Sequence, residues 1–302
     1  APDHPVRYDA WDLESWTPGL GRPLAEPVSI QVVGTGGALG RVRMRHEFGP
    51  SSAVVTYTMR AGSRRLDIDV EFDWQHDEHL LSMAFPLDVH ADSAACDIQF
   101  GHVRRPMHAS TSWDAAKFEV CAHRYIDVSE PGFGVAILND GRYGHGLSDT
   151  RVRVSLARAA RYPDPDADRG THGVRLALFP HGAGLADVLA EAERFEHPVH
   201  VVAGGSAEGV PTPILSALGD GVEIDAIKPA DDDPRDLVVR LHEAVGNRTR
   251  VSLRADRRII AAAACDLMEV PHTPFEVFDG ICSLTLRPFE IATIRLTPST
   301  GA

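Results

Sequence analysis

The stretch that decides the fold runs from Arg104 to Gly146 and reads RRPMHASTSWDAAKFEVCAHRYIDVSEPGFGVAILNDGRYGHG. In its second half, apolar and polar residues alternate from Phe118 to Ala122. A short apolar run from Val135 to Leu138 then lies between a glycine and an Asn-Asp pair. Alternation and short bounded apolar runs are typical of β-strands. The stretch therefore predicts β-sandwich structure.

Two loops in this stretch carry more than turn residues. Segment 108–114 (HASTSWD) and segment 139–145 (NDGRYGH) combine aromatic side chains with hydrogen-bonding ones. Binding sites on strand scaffolds usually occupy such loops. The two loops flank strands that are predicted to be neighbours, so we expect them to lie side by side at one end of a sheet.

The rest of the chain continues the strand pattern on both sides of this stretch. Alternating strands fill residues 27–198 and again 214–302, with a proline-rich, aromatic lead-in over 1–26. A Gly-, Pro- and Ser-rich segment within 199–213 predicts a linker. Apolar residues at helical spacing predict one connecting helix from Gly184 to Phe195. The predicted fold is mainly β: a large antiparallel β-sandwich domain followed by a smaller β-sandwich domain.

Composition excludes several function classes. The chain has 302 residues, a formal net charge of −13 and only two lysines, Lys117 and Lys228. Such an acidic chain is not expected to bind nucleic acid or an anionic membrane. The four cysteines are widely spaced without a CxxC pair, which predicts isolated buried thiols and not a disulfide framework or a zinc site. These thiols, more than the missing signal peptide at Ala1, predict a cytoplasmic location.

Four segments together resemble a known family. The central stretch, YDAWDLE (8–14), RYPDPDADRGTH (161–172) and LRPFEIATIRL (286–296) resemble the β-region of glycoside hydrolase family 38 α-mannosidases, in their cytosolic and bacterial branch. The resemblance implies that the large domain is the family's supersandwich and that the chain begins where the catalytic half ends. It also implies a retaining glycosidase whose nucleophile and zinc ligands lie in an N-terminal domain that nothing here matches.

From this resemblance we expect no catalytic residue, no metal ligand and no cofactor in this chain, and no hydrolysis by the chain alone. The single His-x-Asp pair, at His90 and Asp92, lies outside the family's aromatic context and is interpreted as coincidence. In the family, loops of the large β-domain reach the substrate pocket. The site residues predicted here are therefore accessory ones.

Five side chains are predicted to contact sugar. The resemblance places Asp140, Arg142 and Tyr143 in a pocket loop, with the arginine one position away from that of more distant members. Arginine can bind hydroxyls, and tyrosine can stack on a sugar face. Trp113 and Asp114 offer a second stacking ring and a hydroxyl acceptor. The alternatives are a satisfied Asp-Gly turn for the first group, and a core tryptophan beside a capping aspartate for the second.

Three functions stay open on the sequence. The leading one is the C-terminal β-region of an α-mannosidase, whose partners are its own N-terminal catalytic domain and an α-mannoside substrate. The second is a stand-alone carbohydrate-binding module. The third is a structural or oligomerisation scaffold, and a homo-oligomer is compatible with each of them.

Overall fold

The computed structural model of the protein describes residues 1–200, 202–204 and 213–299. The chain divides into two compact units, one formed by residues 1–98 and 103–198 and the other by residues 99–102 and 199–302. The predicted linker over 199–213 falls mostly outside the described residues, and the predicted domain boundaries stay predictions.

The first unit contains two antiparallel sheets, and of their strands only β7 has residues, its first two, that are assigned to the second unit. Its strands are β1 (Ser29–Gly36), β2 (Leu39–Phe48), β3 (Ser51–Arg60), β4 (Leu66–Trp74), β5 (Leu81–Pro86), β6 (Ser93–Ile98), β7 (Gly101–Pro106), β8 (Glu119–Cys121), β9 (Tyr125–Glu130), β10 (Phe133–Asn139), β11 (Gly144–Ser148), β12 (Arg151–Ala157) and β13 (Gly170–His181). The larger sheet has nine strands in the order β1-β2-β3-β4-β13-β10-β9-β6-β7. The smaller has the order β5-β12-β11-β8.

One hydrophobic core joins these two sheets. Alternate residues such as Ile68, Val70 and Phe72 of β4 point from the large sheet into the core, where they meet Val152 and Val154 of β12 in the small sheet. Period-2 alternation places the apolar side chains of each strand on one face. The predicted large antiparallel β-sandwich is confirmed.

The helix α2 (Ala186–Glu196) covers part of the opposite, outer face of the nine-stranded sheet. It contacts β9, β10 and β13, and buries Val188, Leu189, Ala192 and Phe195. Strands beneath it are apolar on both faces: Ile137 lies in the core, whereas Ala136 and Leu138 are buried on the helix side. The predicted helix from Gly184 to Phe195 is confirmed, with a start two residues later.

Two short helical turns were not predicted. One is a 3-10 helix, Thr17–Leu20, in the lead-in segment, and the other is a single α-helical turn, α1 (Ser112–Ala115), between β7 and β8. The side chains of Tyr8, Trp11 and Trp16 in the lead-in are each more than half exposed.

The second unit is a smaller sandwich. Its strands are β14 (Leu215–Leu218), β15 (Val222–Pro229), β16 (Leu237–Glu243), β17 (Thr249–Ala255), β18 (Ile259–Cys265), β19 (Pro271–Phe275), β20 (Val277–Phe278), β21 (Ile281–Leu286) and β22 (Ile291–Pro298). They form the sheets β14-β17-β21-β20 and β15-β16-β22-β18-β19 around one core, which confirms the predicted smaller sandwich. None of the helices in the described part of the chain has the length and apolarity of a membrane span.

Candidate functional site

The loop between β10 and β11 (Asp140–Tyr143), here called the β10–β11 loop, connects the two sheets of the first unit. Asn139, which is 2% exposed, holds the loop in shape: its Oδ1 accepts from the backbone N–H groups of Gly141 (3.0 Å) and Arg142 (2.8 Å), while its Nδ2 donates to the carbonyl of His123. Asparagine is a favoured residue for such a turn because its amide substitutes for backbone partners. Gly141 follows with a φ of +128°, which a side chain disfavours.

Because Asn139 makes the turn, the loop's larger side chains are available. Tyr143 is 52% exposed, and its ring centroid lies 4.8 Å from that of His123. The guanidinium of Arg142 has no hydrogen-bond or ion-pair partner among the described residues. Tyrosine and arginine combine a flat face with hydrogen-bond donors, as recognition of a sugar ring and its hydroxyls requires.

Asp140 differs from these two residues because it has a structural partner. Its Oδ1 accepts from the backbone N–H of Arg175 at 3.1 Å, and its Oδ2 lies 3.1 Å from Nε of the same arginine. Arg175 also donates to the carbonyl of Phe195 at the end of α2. Asp140 therefore fastens the loop to β13 and α2. Its predicted role in binding sugar stays a prediction.

Asp168 is a neighbour of the loop that the sequence did not single out as a site residue. Burial would raise the pKa of this carboxyl, but it is lowered overall by the backbone N–H groups of Ala159 and Arg158 and by the charges of His172 and Arg142. Arg142 is thus close enough to Asp168 to influence its ionisation. The segment RYPDPDADRGTH, which the resemblance had highlighted, contains this aspartate.

His145 lies directly behind the loop and is fully buried. Its Nδ1 lies 3.0 Å from the carbonyl of Tyr143, so Nδ1 carries the proton and donates. Burial lowers the pKa of the imidazole to about 4, which keeps the ring neutral near pH 7. Nε2 is buried and has no hydrogen-bond partner in the described part of the chain. His145 therefore supports the loop from inside.

Trp113 and Asp114 lie on α1, in a different setting. Asp114 forms a capping box with Thr111: its Oδ2 accepts from the Thr111 hydroxyl (2.8 Å) and N–H (3.2 Å), and its own N–H donates to Thr111 Oγ1 (3.1 Å). The bond from the Thr111 hydroxyl is the main reason that the pKa of Asp114 is lowered. Trp113 is 80% exposed, so it is not a core residue.

The two loops do not lie side by side, and that expectation was wrong. Glu119 of β8 pairs opposite Gly146, and the Asp149 N–H bonds to the carbonyl of Met107, so both ends of segment 107–118 lie where β11 turns into β12. The β10–β11 loop lies at the other end of β11, about 13 Å away at the usual strand rise. Strand pairing register, which the sequence did not provide, decides this arrangement.

One group of described residues has the spacing to share a metal ion. Glu193, Glu196 and His197 bring ligand atoms within 4.8 Å of one another at the end of α2, and all three are exposed. His197 Nδ1 already pairs with Glu193 at 3.2 Å. The group contains no His-x-Asp pair, and an exposed position at a helix end does not fit a catalytic zinc.

Comparisons with known proteins cover both units. The sequence model described as "Glycosyl hydrolases family 38 C-terminal domain" matches residues 2–166, which is more than half of the chain. The model described as "Glycosyl hydrolases family 38 C-terminal beta sandwich domain" matches residues 221–294. The β10–β11 loop and α1 both fall within the first match.

Individual relatives give the same picture. An alpha-mannosidase 2C1 from Homo sapiens is 33% identical over 97% of this chain, and an alpha-mannosidase from Saccharomyces cerevisiae is 30% identical over 97%. The chain spans only 29% and 30% of the length of these two relatives. The crystal structure of an alpha-mannosidase from Enterococcus faecalis V583 matches 88% of this chain and 35% of that one, with a TM-score of 0.74 at 19% identity, which shows a shared fold.

Proposed function

Because the chain belongs to glycosyl hydrolase family 38, whose C-terminal domains it carries, we propose that it is the C-terminal β-region of an α-mannosidase. In this proposal a separate N-terminal catalytic domain performs retaining hydrolysis and binds the zinc. The two β-sandwiches support that domain. The β10–β11 loop contributes side chains to the mannoside pocket.

The observation that carries the pocket assignment is the state of Arg142 and Tyr143. Asn139 supplies the side-chain hydrogen bonds of the turn, so neither Arg142 nor Tyr143 is needed to hold the loop. Both side chains are large, and that of Tyr143 is more than half exposed. Arg142 and Tyr143 are accordingly assigned to hydroxyl binding and ring stacking. Asp140 is assigned to positioning the loop through Arg175.

The family implies a zinc ion, which the proposal places in the N-terminal catalytic domain. Among the described residues the group at Glu193, Glu196 and His197 does not fit a catalytic zinc, so no reaction step is assigned to a metal here. The proposed cytoplasmic location is supported by the four cysteines, all of which are free thiols. Three of them are buried as expected, whereas Cys121 is exposed, so the expectation of a buried thiol was wrong at that position.

The test uses the full-length enzyme that the proposal requires. Replacing Arg142 by Ala removes a charged hydrogen-bond donor, which is worth about 1.5–3 kcal/mol, or about ten- to over a hundredfold in kcat/KM for an aryl α-mannoside. Tyr143→Ala should lower kcat/KM in the same direction. The matched control is Arg151→Ala, an exposed arginine on β12 near the other end of β11. Unchanged kinetics in both loop variants would refute the pocket assignment.

A second candidate function is a stand-alone carbohydrate-binding module, and the exposed Trp113 favours it. A ring that is 80% exposed on a capped helical turn is available for stacking on a sugar. Titration of the 302-residue chain with mannose, followed by tryptophan fluorescence and compared with Trp113→Ala, separates the candidates. Saturable binding that the substitution abolishes would favour the module, and its absence favours the α-mannosidase region.

A further inference from the structure

The outer face of the nine-stranded sheet is only partly covered. The helix α2 lies over β9, β10 and β13, whereas the outer side chains of β2 and β4 include exposed residues such as Arg43, Arg45, Glu71 and Asp73. We call the outer face of β2, β3 and β4 the striped face, after the way its charges are arranged.

The three strands of the striped face differ in the charge of their outward side chains. On β2 three successive outward residues are arginines and the next, Glu47, is acidic, whereas on β4 all four are acidic. On β3, between them, the outward residues from Ser52 to Thr58 are uncharged, and the next one, Arg60, pairs with Asp67 of β4. In strand order these residues are Arg41, Arg43, Arg45 and Glu47; Ser52, Val54, Thr56 and Thr58; and Asp67, Asp69, Glu71 and Asp73.

The strand pairing aligns these stripes into rows without a register shift. Arg43 pairs with Thr56, which pairs with Asp69, and in the next row Arg45, Val54 and Glu71 are aligned in the same way. Two strand spacings separate the charges in a row, which is about 9–10 Å. That distance is too long for an ion pair, so the basic and acidic stripes do not neutralise each other directly.

Several of these charges are unpaired within the chain. Arg43, Asp69 and Glu71 have no ion pair or side-chain hydrogen bond among the residues that the structure describes. Other positions are engaged: Arg45 lies 2.9 Å from Glu47, and Asp67 pairs with Arg65 at 2.6 Å. The free charges therefore occupy the middle rows of the striped face.

We propose that the striped face binds a second copy of this chain, about a two-fold axis parallel to β3. Rotation about this axis exchanges the positions of β2 and β4 and leaves the position of each row along the strands unchanged. The arginines of β2 in one copy therefore face the acidic residues of β4 in the other. Arg43 then faces Asp69 of the second copy, and Arg45 faces its Glu71. The small, uncharged residues of β3 face their own equivalents, which allows close approach.

Charge complementarity favours a second copy of this chain as the partner of the striped face. A polyanionic partner would be repelled by the acidic residues of β4 and a polycationic one by the arginines, whereas a second copy places Arg43 and Arg45 of each chain opposite Asp69 and Glu71 of the other. Like charges meet in the end row, where Glu47 faces Asp73, and there Glu47 is already paired with Arg45 of its own chain at 2.9 Å. The patch is roughly 10 Å wide between its outer strands and about four rows long, which is small for a protein interface, so the dimer is weak. At about 0.15 M salt, the repulsion between the net charges of the two copies is screened beyond about 8 Å, whereas ion pairs in direct contact are screened less.

The test is sedimentation of the 302-residue chain over a concentration series at about 0.15 M and about 1 M salt. Wild type should show a monomer–dimer equilibrium that weakens at the higher salt concentration. Arg43→Glu and Asp69→Arg should each raise the dimer dissociation constant about tenfold or more. Each substitution occurs at two symmetry-related contacts of the dimer, so its effect on association is doubled. The matched control Arg254→Glu reverses an exposed strand arginine of the second unit and should leave the constant unchanged.

Mixing the two reversal variants gives the sharpest outcome. In an equimolar mixture, the glutamate introduced at position 43 of one variant faces the arginine introduced at position 69 of the other. The remaining contact pairs the native Asp69 of the first variant with the native Arg43 of the second. The mixture should therefore associate more tightly than either variant does alone.

Two results would overturn the proposal: a wild type that stays monomeric, or a mixture of the reversal variants that does not associate. If a reversal variant does not fold, Arg43→Gln and Asp69→Asn replace it. Each of these neutral variants should weaken association with the wild-type chain.

Discussion

Replacing Asn139 by Ala tests the structural basis of the candidate site. The substitution removes two hydrogen bonds accepted by Oδ1, from Gly141 and Arg142, and one donated by Nδ2 to the carbonyl of His123. Each buried bond is worth about 1 kcal/mol net, and the carbonyl left without its partner adds a desolvation cost, so the first unit should lose about 2–4 kcal/mol. Asn139 is 2% exposed, so water cannot readily replace the amide.

Tryptophan fluorescence during urea unfolding measures this loss. All four tryptophans, including the buried Trp74, belong to the first unit, so the signal reports its unfolding separately. Asp140→Ala is the control in the same loop. Its pair with Arg175 is about a third exposed, so its removal should cost under about 1 kcal/mol. A loss below about 1 kcal/mol in Asn139→Ala would show that Asn139 does not hold the loop.

Two further predictions concern buried polar groups. The carboxylate of Glu243 accepts from the backbone N–H groups of Val245, Gly246 and Phe289, so Glu243→Ala should destabilise the second unit by about 2–4 kcal/mol in thermal unfolding followed by circular dichroism. Burial lowers the pKa of His145 from 6.5 to about 4, so the unfolded chain binds the proton more tightly and stability should fall as pH drops between these values. His145→Gln should show a smaller fall over that range, and an equal fall would contradict this reasoning.

Strands with a strict period were predictable from the sequence, and the reason is visible in β4. Leu66, Ile68, Val70 and Phe72 alternate with acidic residues because one face meets the core and the other is exposed. The helix α2 was also predictable because one of its faces is buried, which gives apolar residues at the helical spacing of three to four residues. Alternation identifies an element without naming its neighbours, so strand register could not be predicted.

The site was predictable only in part. Thr111 and Asp114 form the Ser/Thr-x-x-Asp/Glu signature of a capping box, yet α1 is a single turn, too short to show helical periodicity. The turn in the β10–β11 loop is held by Asn139 and not by the Asp-Gly pair, because the amide can both donate and accept where a carboxylate can only accept. The proximity of Arg142 to Asp168 depends on chain folding across more than twenty residues, which local pattern does not encode.

The uneven cover of the nine-stranded sheet also determines the order in which its strands fray. Residues of β10 are enclosed between α2 and the core, whereas most of β1 is exposed and, among the described strands, pairs with β2 alone. Opening β1 therefore breaks one ladder and exposes little new apolar surface, but opening β10 requires the helix and the core to separate. Amide hydrogens should therefore exchange with solvent first in the edge strand β1 and last in the central strand β10.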